Sequence, residues 1–150
     1  SSDKKLGGMH VNASTRKYTF KKLSSSNTYK ISVCGYGFAN GEKIYGPQRA
    51  ITTCTVPGKV SIKTPTTGKT HYVNVRWTKR NCSGYQVMLA TNSKFTLGKK
   101  TAYVSSKLSS KSITKLKKGK TYYVKVRAYK TINGKKYAGS WSSYKKIKCK

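Results

Sequence analysis

The strongest constraint on the fold of this chain is an internal repeat. When Leu23 is aligned with Leu116, an offset of 93 residues, two segments share ten identities. The identical pairs are Lys22/Lys115, Leu23/Leu116, Thr28/Thr121, Tyr29/Tyr122, Val33/Val126, Tyr36/Tyr129, Asn40/Asn133, Gly41/Gly134, Lys43/Lys136 and Gly46/Gly139. Self-similarity at a fixed period indicates that one structural unit occurs twice. Before Leu23 the offset falls to 91, which sets Ser1 near Asn92, so we expect the first copy to lack its front half.

Within the second copy, apolar and polar residues alternate with a period of two, which is typical of half-buried antiparallel strands. The clearest strand runs are 71–77, 85–90 and 122–129, and further strands are expected at 59–63, 101–105, 112–116 and 144–149. Turn sequences lie at 65–68, 81–84 and 117–120. Asn133-Gly134 favours a type I′ hairpin, because both central residues of that turn need positive φ. Seven short strands in about ninety-five residues indicate an all-β sandwich of the immunoglobulin type.

Several motifs of the second copy occur together in one known family. Pro57-Gly58 precedes the first strand, Trp77 ends the second, Tyr85 begins the third, and Leu116 stands six residues before Tyr122. The chain thereby resembles the fibronectin type III repeats of extracellular and surface proteins of low-GC Gram-positive bacteria, and the last pair is similar to their tyrosine corner. The resemblance implies a complete seven-stranded sandwich at 55–150, preceded by the C-terminal half of a second such sandwich at 1–54.

In the partial copy, the resemblance implies only strands E, F and G, within residues 18–54. Their apolar residues would form one side that needs a facing sheet: Phe20, Leu23, Tyr29, Ile31, Val33 and Ile51. Three strands cannot close a sandwich, and their unpaired edges invite strand addition. We therefore expect a complementing polypeptide to supply strands A to C. Upstream residues of a longer or processed chain are favoured, and strands inserted by a second chain are the alternative.

The charge of the chain is one-sided. Residues 57–150 hold twenty-four Lys or Arg and no Asp or Glu, and the whole chain carries a formal charge of +31 with only Asp3 and Glu42 as carboxylates. Salt bridges within the chain are therefore almost excluded as the purpose of the lysines. Lysine-rich surfaces commonly serve solubility, but natural surfaces mix both signs, and a one-signed field attracts polyanions. We expect a polyanionic surface or polymer as the partner.

Aromatic residues interleave with cations on the predicted outward face of strand F. Rings framed by cations bind single-stranded nucleic acid, sugar rings and acidic glycans, although cross-strand tyrosine packing gives the same pattern. The predicted polyanion-binding residues are Lys115, Lys117, Lys118, Lys120, Tyr123, Lys125, Arg127, Tyr129, Lys130, Lys135 and Lys136. Because no nucleic-acid recognition motif is present, binding to nucleic acid would be independent of sequence and sensitive to salt.

The chain is poor in the groups that catalysis and metal binding require. General acid–base catalysis needs positioned carboxylates or histidines, and the chain has only two of each. We therefore expect that the chain is not an enzyme. Calcium would need more acidic oxygens, and no Cys-x-x-Cys spacing indicates zinc, so we expect no metal or other cofactor. For Cys34, Cys54, Cys82 and Cys149, free thiols and disulfides remain open. A bridge between Cys54 and Cys82 would fasten the linker to the domain.

Together these features predict a non-catalytic spacer and adhesion module of a secreted or cell-surface protein. Its lysines would hold it to wall polymer or acidic glycan. One alternative is a free cationic effector that binds nucleic acid or anionic membranes, and another is an accessory module of a large secreted hydrolase. No stretch approaches the roughly eighteen apolar residues of a membrane helix, so no membrane span is expected.

Overall fold

A computed structural model describes residues 6–68 and 71–150, and these residues form strands, turns and irregular segments without a helix. The strands are β1 (Thr28–Val33), β2 (Tyr36–Ala39), β3 (Glu42–Tyr45), β4 (Arg49–Cys54), β5 (Thr66–Gly68), β6 (Tyr72–Arg76), β7 (Gly84–Ala90), β8 (Lys100–Ser105), β9 (Ser110–Ile113), β10 (Thr121–Ile132), β11 (Lys135–Ala138) and β12 (Lys145–Lys148). The predicted all-β class is confirmed.

Strands β5 to β12 build a sandwich of two antiparallel sheets. One sheet has the order β5-β6-β9, and the other has the order β11-β10-β7-β8, with β12 also pairing with β10. Every second residue of β6, β7 and β10 points to the space between the sheets, as the alternation predicts. The resulting core contains Val73, Val75, Val87, Leu89, Val124 and Val126, all without solvent exposure.

Three aromatic residues anchor this core. Trp77 and Tyr122 are 2% and 5% exposed, as their positions in the alternating pattern predict. The Trp77 ring packs 5.2 Å from that of Tyr85, whose hydroxyl accepts a hydrogen bond of 2.7 Å from the Arg80 backbone. The Tyr122 hydroxyl accepts a 3.0 Å hydrogen bond from the backbone N–H of Lys117. The predicted tyrosine corner is therefore present, and it fixes the turn that precedes β10.

Some predicted strand bounds are wrong at the edges of the sandwich. The strand expected at 59–63 is reduced to one bridge between Ile62 and Trp77, and residues 66–68, predicted as part of a turn, form β5. Pro65 has no N–H to donate, so the ladder breaks there and pairing resumes beyond it. The final strand is divided into β11 and β12. Between them Gly139 lies so close to the Pro57 carbonyl that a side chain would not fit.

The internal repeat is reproduced in the backbone geometry. Positive φ angles recur at the 93-residue offset: Lys22 (57°) and Lys115 (56°), Ser26 (60°) and Gly119 (73°), Asn40 (51°) and Asn133 (48°), Gly41 (79°) and Gly134 (75°). The backbone bond from Gly46 to Gly35 has its counterpart from Gly139 to Ala128, and both are 2.9 Å long. The Tyr29 hydroxyl bonds the Ser24 carbonyl at 3.3 Å, as a second corner. Residues 28–54 therefore repeat the hairpin built by β10, β11 and β12.

The strand E that the resemblance implies near residue 18 is not formed. Residues 15–20 are irregular, and Phe20 is 46% exposed. In the second copy strand E is β9, which is held by its ladder with β6. No described residue of the first copy corresponds to β6, so a strand at this place would have no ladder partner for its backbone groups.

Backbone and hydroxyl hydrogen bonds join the two copies at the linker. Thr55 donates its N–H to the carbonyl of Asn27 at 3.1 Å and its hydroxyl to that of Ser24 at 2.6 Å. The backbone N–H of Ser26 donates a 3.3 Å hydrogen bond to the Val56 carbonyl, and Ser26 is buried. The linker is thus part of the first copy's turn rather than a free connection.

Candidate polyanion-binding surface

Strand β10 carries five of the predicted binding residues, and four of them share one face of the sheet. Its even-numbered residues from Tyr122 to Ala128 are buried, so Tyr123, Lys125, Arg127 and Tyr129 lie half-buried on the opposite face of the sheet. The predicted outward orientation is therefore confirmed. Register with β7 sets Gln86 beside Arg127 on the same face.

Two of these cations lie against aromatic rings. The Lys125 ammonium is 4.0 Å from the ring centroid of Phe95 and 4.7 Å from that of Trp141. The guanidinium carbon of Arg127 is 4.4 Å from the Trp141 centroid, and its Nε donates a 2.8 Å hydrogen bond to Gln86 Oε1. Ring faces attract cations at such distances. We call Phe95, Lys125, Trp141, Arg127 and Gln86 the cation–π ladder.

The surroundings of Lys125 in the ladder disfavour the positive charge of its ammonium group. Burial lowers the pKa of Lys125 below its ordinary value, and the neighbouring charge of Arg127 lowers that pKa further. Both effects destabilise the charged ammonium. Among the described residues the only carboxylate side chain is that of Glu42 on β3, in the first copy, so the ladder has no side-chain anion to offset them.

At the hairpin end of β10, lysines lie over tyrosine rings. The Lys136 ammonium is 5.5 Å from the centroid of Tyr103 and 5.8 Å from that of Tyr129. The first copy repeats this contact, because Lys43 lies 5.1 Å from the centroid of Tyr36. We call the three predicted cations at this end the hairpin cluster: Lys130, Lys135 and Lys136.

At the opposite end of β10, exposed lysines surround a shallow depression. Its lining consists of Lys118, Gly119, Lys148, Cys149 and Lys150. Backbone bonds between the β10 turn and the last strand, from Gly119 to Cys149 and from Cys149 to Lys120, hold this arrangement. We call its lysines the turn cluster: Lys117, Lys118, Lys120, Lys148 and Lys150. Lys115 lies beside it, and its carbonyl accepts a 3.0 Å hydrogen bond from Lys100 Nζ.

The predicted binding residues therefore form three groups rather than one site. The ladder face lies between the turn cluster, whose Lys120 directly precedes β10, and the hairpin cluster, whose Lys130 is ten residues further along the chain. At about 3.3 Å per residue this separation is roughly 33 Å. Such a spacing does not suit one small anion, but it suits an extended polymer.

Sequence reasoning missed several members of these groups. Gln86 could have been assigned from the alternation of β7, which places it opposite Arg127. Lys148 could have been assigned from the β12 alternation, given its register with Thr121. Trp141 lies in the irregular gap between β11 and β12, and Phe95 has a positive φ in a turn, so no periodic pattern marks either residue.

All four cysteines are free thiols in the structure, so the bridge between Cys54 and Cys82 is not formed there. Cys82 packs against the core of the sandwich, whereas Cys54 ends β4 opposite Thr28. Cys149 is 1% exposed and belongs to the same core. Cys54 is thus held by the sheet of β1 and β4 and Cys82 by the core of the sandwich, and the free-thiol and disulfide alternatives both stay predictions.

Within residues 6–68 and 71–150, no three His, Cys, Asp or Glu side chains lie close enough together to hold a metal ion. The same residues form no helix that is long and apolar enough to cross a membrane.

Comparison with known proteins gives similarity in structure only. No protein-family model and no curated protein matches the chain. The FN5 domain of Drosophila Lar is 21% identical with a TM-score of 0.50, covering 63% of this chain and 97% of that domain. Domains d3-d4 of the rat CD45 extracellular region are 18% identical with a TM-score of 0.51, covering 99% of this chain and 78% of that one. The FN1-FN3 domains of chicken CNTN1 are 19% identical with a TM-score of 0.51, covering 88% of this chain and 46% of that one.

These likenesses show that the chain has the fibronectin type III fold, as the tyrosine corner and strand pattern predict. The three similar structures come from animal proteins. The relationship to Gram-positive bacterial surface repeats therefore stays a prediction.

Proposed function

We propose that this chain is a non-catalytic, strongly cationic tandem module of a secreted or cell-surface protein, and that it acts as a spacer and adhesion module for an extended anionic polymer. Wall polymer and acidic glycan are the proposed partners. One observation carries the proposal: cations occur at both ends of β10 and on the face between them, and residues 57–150 contain no carboxylate side chain to neutralise them.

The three groups on β10 would contribute differently. The exposed lysines of the turn cluster and the hairpin cluster would contact the polymer directly and release its counterions. Lys125 and Arg127 would add to the field, while their ring contacts keep the face between the clusters rigid. A polymer spanning both clusters would gain from two linked contacts, because the second contact forms at high effective concentration.

A tandem arrangement supports the spacer role. We infer a partial domain at 1–54 and a complete domain at 55–150, and the hydrogen bonds of Thr55 to the first copy would limit bending between them. The CD45 structure, which spans two domains of an extracellular region, matches over 99% of this chain. That likeness supports the tandem reading and a location outside the cell.

The test is a binding panel at physiological salt with teichoic-type polymer, sulfated glycan and DNA. A turn-cluster variant carries Lys117→Ser, Lys118→Ser and Lys148→Ser, and a control of equal charge carries Lys63→Ser, Lys107→Ser and Lys111→Ser. We expect the turn-cluster variant to lose affinity at least tenfold and the control less than threefold. Equal losses of affinity in the two variants would show that binding depends on net charge alone and not on the turn cluster.

The panel also distinguishes the proposal from its alternatives. Binding to polymer or glycan in preference to DNA supports the adhesion module. Preference for DNA would favour the cationic effector instead. An absence of binding to all three polymers would leave the lysines as solubility residues and would overturn the proposal.

A further inference from the structure

We propose that the outer face of the sheet formed by β8, β7 and β10 is a subsite for an acidic polysaccharide, whose sugar rings stack against two pairs of tyrosines. The ligand is a chain of sugar rings that carry carboxylate or sulfate groups. The inference rests on the polyanion binding proposed above and deepens it, because it selects a polymer with rings over a polymer without them. We call Tyr103 with Tyr129, and Tyr123 with Tyr144, the tyrosine pairs.

The tyrosine pairs lie on the two sides of the cation–π ladder. The ring centroids are 5.9 Å apart in the pair of Tyr103 and Tyr129, and 5.5 Å apart in the pair of Tyr123 and Tyr144. In both pairs the rings meet edge to face. Tyr123 and Tyr129 stand six residues apart on β10, which is about 20 Å along a strand. A polymer of several sugar units is therefore needed to reach both pairs.

One tyrosine of each pair keeps much of its ring in solvent. Tyr103 is 59% exposed and Tyr144 is 50% exposed. In contrast, Tyr85 and Tyr122 are 0% and 5% exposed, and their hydroxyls bond the backbone. The fold thus buries its structural tyrosines and leaves Tyr103 and Tyr144 accessible. An aromatic side chain with an apolar body and a polar tip is typical of binding surfaces.

Each tyrosine pair has a cation beside it. The Lys136 ammonium lies 5.5 Å from the Tyr103 centroid. At the other pair, the register sets the exposed Lys146 opposite Tyr123. A unit of an acidic polysaccharide offers the matching groups, because its ring C–H groups suit the negative face of an aromatic ring and its anionic group suits the cation.

The ladder between the pairs favours a glycan over single-stranded nucleic acid. A nucleic acid strand stacks successive bases on aromatic side chains. Here the rings of Phe95 and Trp141 already hold the cations Lys125 and Arg127, so the ladder interrupts such a succession. The Arg127 Nε bonds Gln86, and the remaining N–H groups of its guanidinium can pair with a carboxylate or sulfate. The middle of this face therefore suits the anionic groups of the polymer, and its ends suit the rings.

The experiment compares three polymers with equal numbers of charges at physiological salt: a sulfated glycan, a polyphosphate, which has no rings, and polydeoxythymidine. The variant Tyr103→Ala/Tyr144→Ala should bind the glycan about tenfold more weakly than the native chain does, with less than about a twofold change for polyphosphate. The salt dependence of glycan binding should not change, because ring contacts release no counterions. Saturation-transfer NMR on the native chain should carry magnetisation from tyrosine ring protons to sugar protons, which tests the contact without a substitution.

Two control variants separate stacking from other effects. Tyr103→Phe/Tyr144→Phe keeps both rings, so it should bind the glycan with nearly native affinity. Tyr18→Ala/Tyr45→Ala removes tyrosines of the first copy that are 48% and 55% exposed, and it should also keep the native affinity.

Three outcomes would overturn this inference while leaving the proposed function in place, because the native chain would still bind polyanions. One is that Tyr103→Ala/Tyr144→Ala weakens glycan binding no more than polyphosphate binding. Another is an equal loss in the phenylalanine variant. The third is a larger loss with polydeoxythymidine than with the glycan, which would assign the tyrosine pairs to bases. A native chain that binds none of the three polymers would instead refute the proposed function, and this inference with it.

Discussion

Replacement of Trp141 by alanine should destabilise the sandwich through the loss of two cation–ring contacts. The Lys125 ammonium lies 4.7 Å from the centroid of the Trp141 ring, and the Arg127 guanidinium carbon lies 4.4 Å from it. Each such contact is worth about 0.5–1 kcal/mol at an exposed site and about 2 kcal/mol when desolvated. Since the ring is half-buried, we assign about 1 kcal/mol to each contact and about 2 kcal/mol to the pair. For a domain of this size, that loss lowers Tm by roughly 8–16 °C.

A double-mutant cycle separates the ring contact from other effects. The cycle compares Trp141→Ala, Arg127→Ala and the double variant by urea unfolding, with a coupling energy of about 1 kcal/mol expected. Arg127 also bonds Gln86, and the cycle removes that contribution because the bond is lost equally on both sides. Leu97→Ala, a loss of exposed apolar surface without a cation, should change stability by less than about 0.5 kcal/mol. A coupling below about 0.3 kcal/mol would refute the ladder as a stabilising feature.

Three further outcomes can be measured on the same domain. Trp77→Ala should cost roughly 3–5 kcal/mol in urea unfolding through the cavity it leaves, and a cost below about 1 kcal/mol would contradict its place in the core. Tyr122→Phe should cost about 1–3 kcal/mol because the Lys117 N–H loses its partner, and an unchanged unfolding midpoint would contradict the tyrosine corner. NMR titration should give Lys125 a pKa below its ordinary value of 10.5. Because the folded chain then releases this proton before the unfolded chain does, the Lys125 contribution to stability should rise with pH between the lowered pKa and 10.5, and the rise should vanish in Lys125→Met.

The parts of the fold that sequence predicts are those set by local pattern. The alternation in β10, the positive φ of Asn133-Gly134 and the spacing of Leu116 and Tyr122 are all properties of a few neighbouring residues. Each follows from sterics or from the period of the strand, so each could be assigned without knowledge of the rest of the chain. The 93-residue repeat then extends the same assignments to the first copy.

The features that sequence did not predict depend on distant partners. The strand expected near residue 18 fails because its ladder partner has no counterpart among the described residues of the first copy. Trp141 escapes the pattern because it lies in the gap that divides the last strand, where the chain has no regular period. The Cys54 and Cys82 pairing could not be decided from spacing, because the positions of the two side chains depend on separate sheets.

The most direct test of polymer binding is the dependence of affinity on salt. A plot of the logarithm of the binding constant against the logarithm of the salt concentration should fall steeply for the native chain with a teichoic-type polymer. We expect a slope of about −0.7 per phosphate contact, which is the value for single-stranded nucleic acids. Replacement of Lys117, Lys118 and Lys148 by serine should reduce that slope by about 2, because three phosphate contacts are lost. The charge-matched replacement of Lys63, Lys107 and Lys111 should leave the slope unchanged. Identical slopes for both variants, or a native affinity that does not depend on salt, would contradict the account.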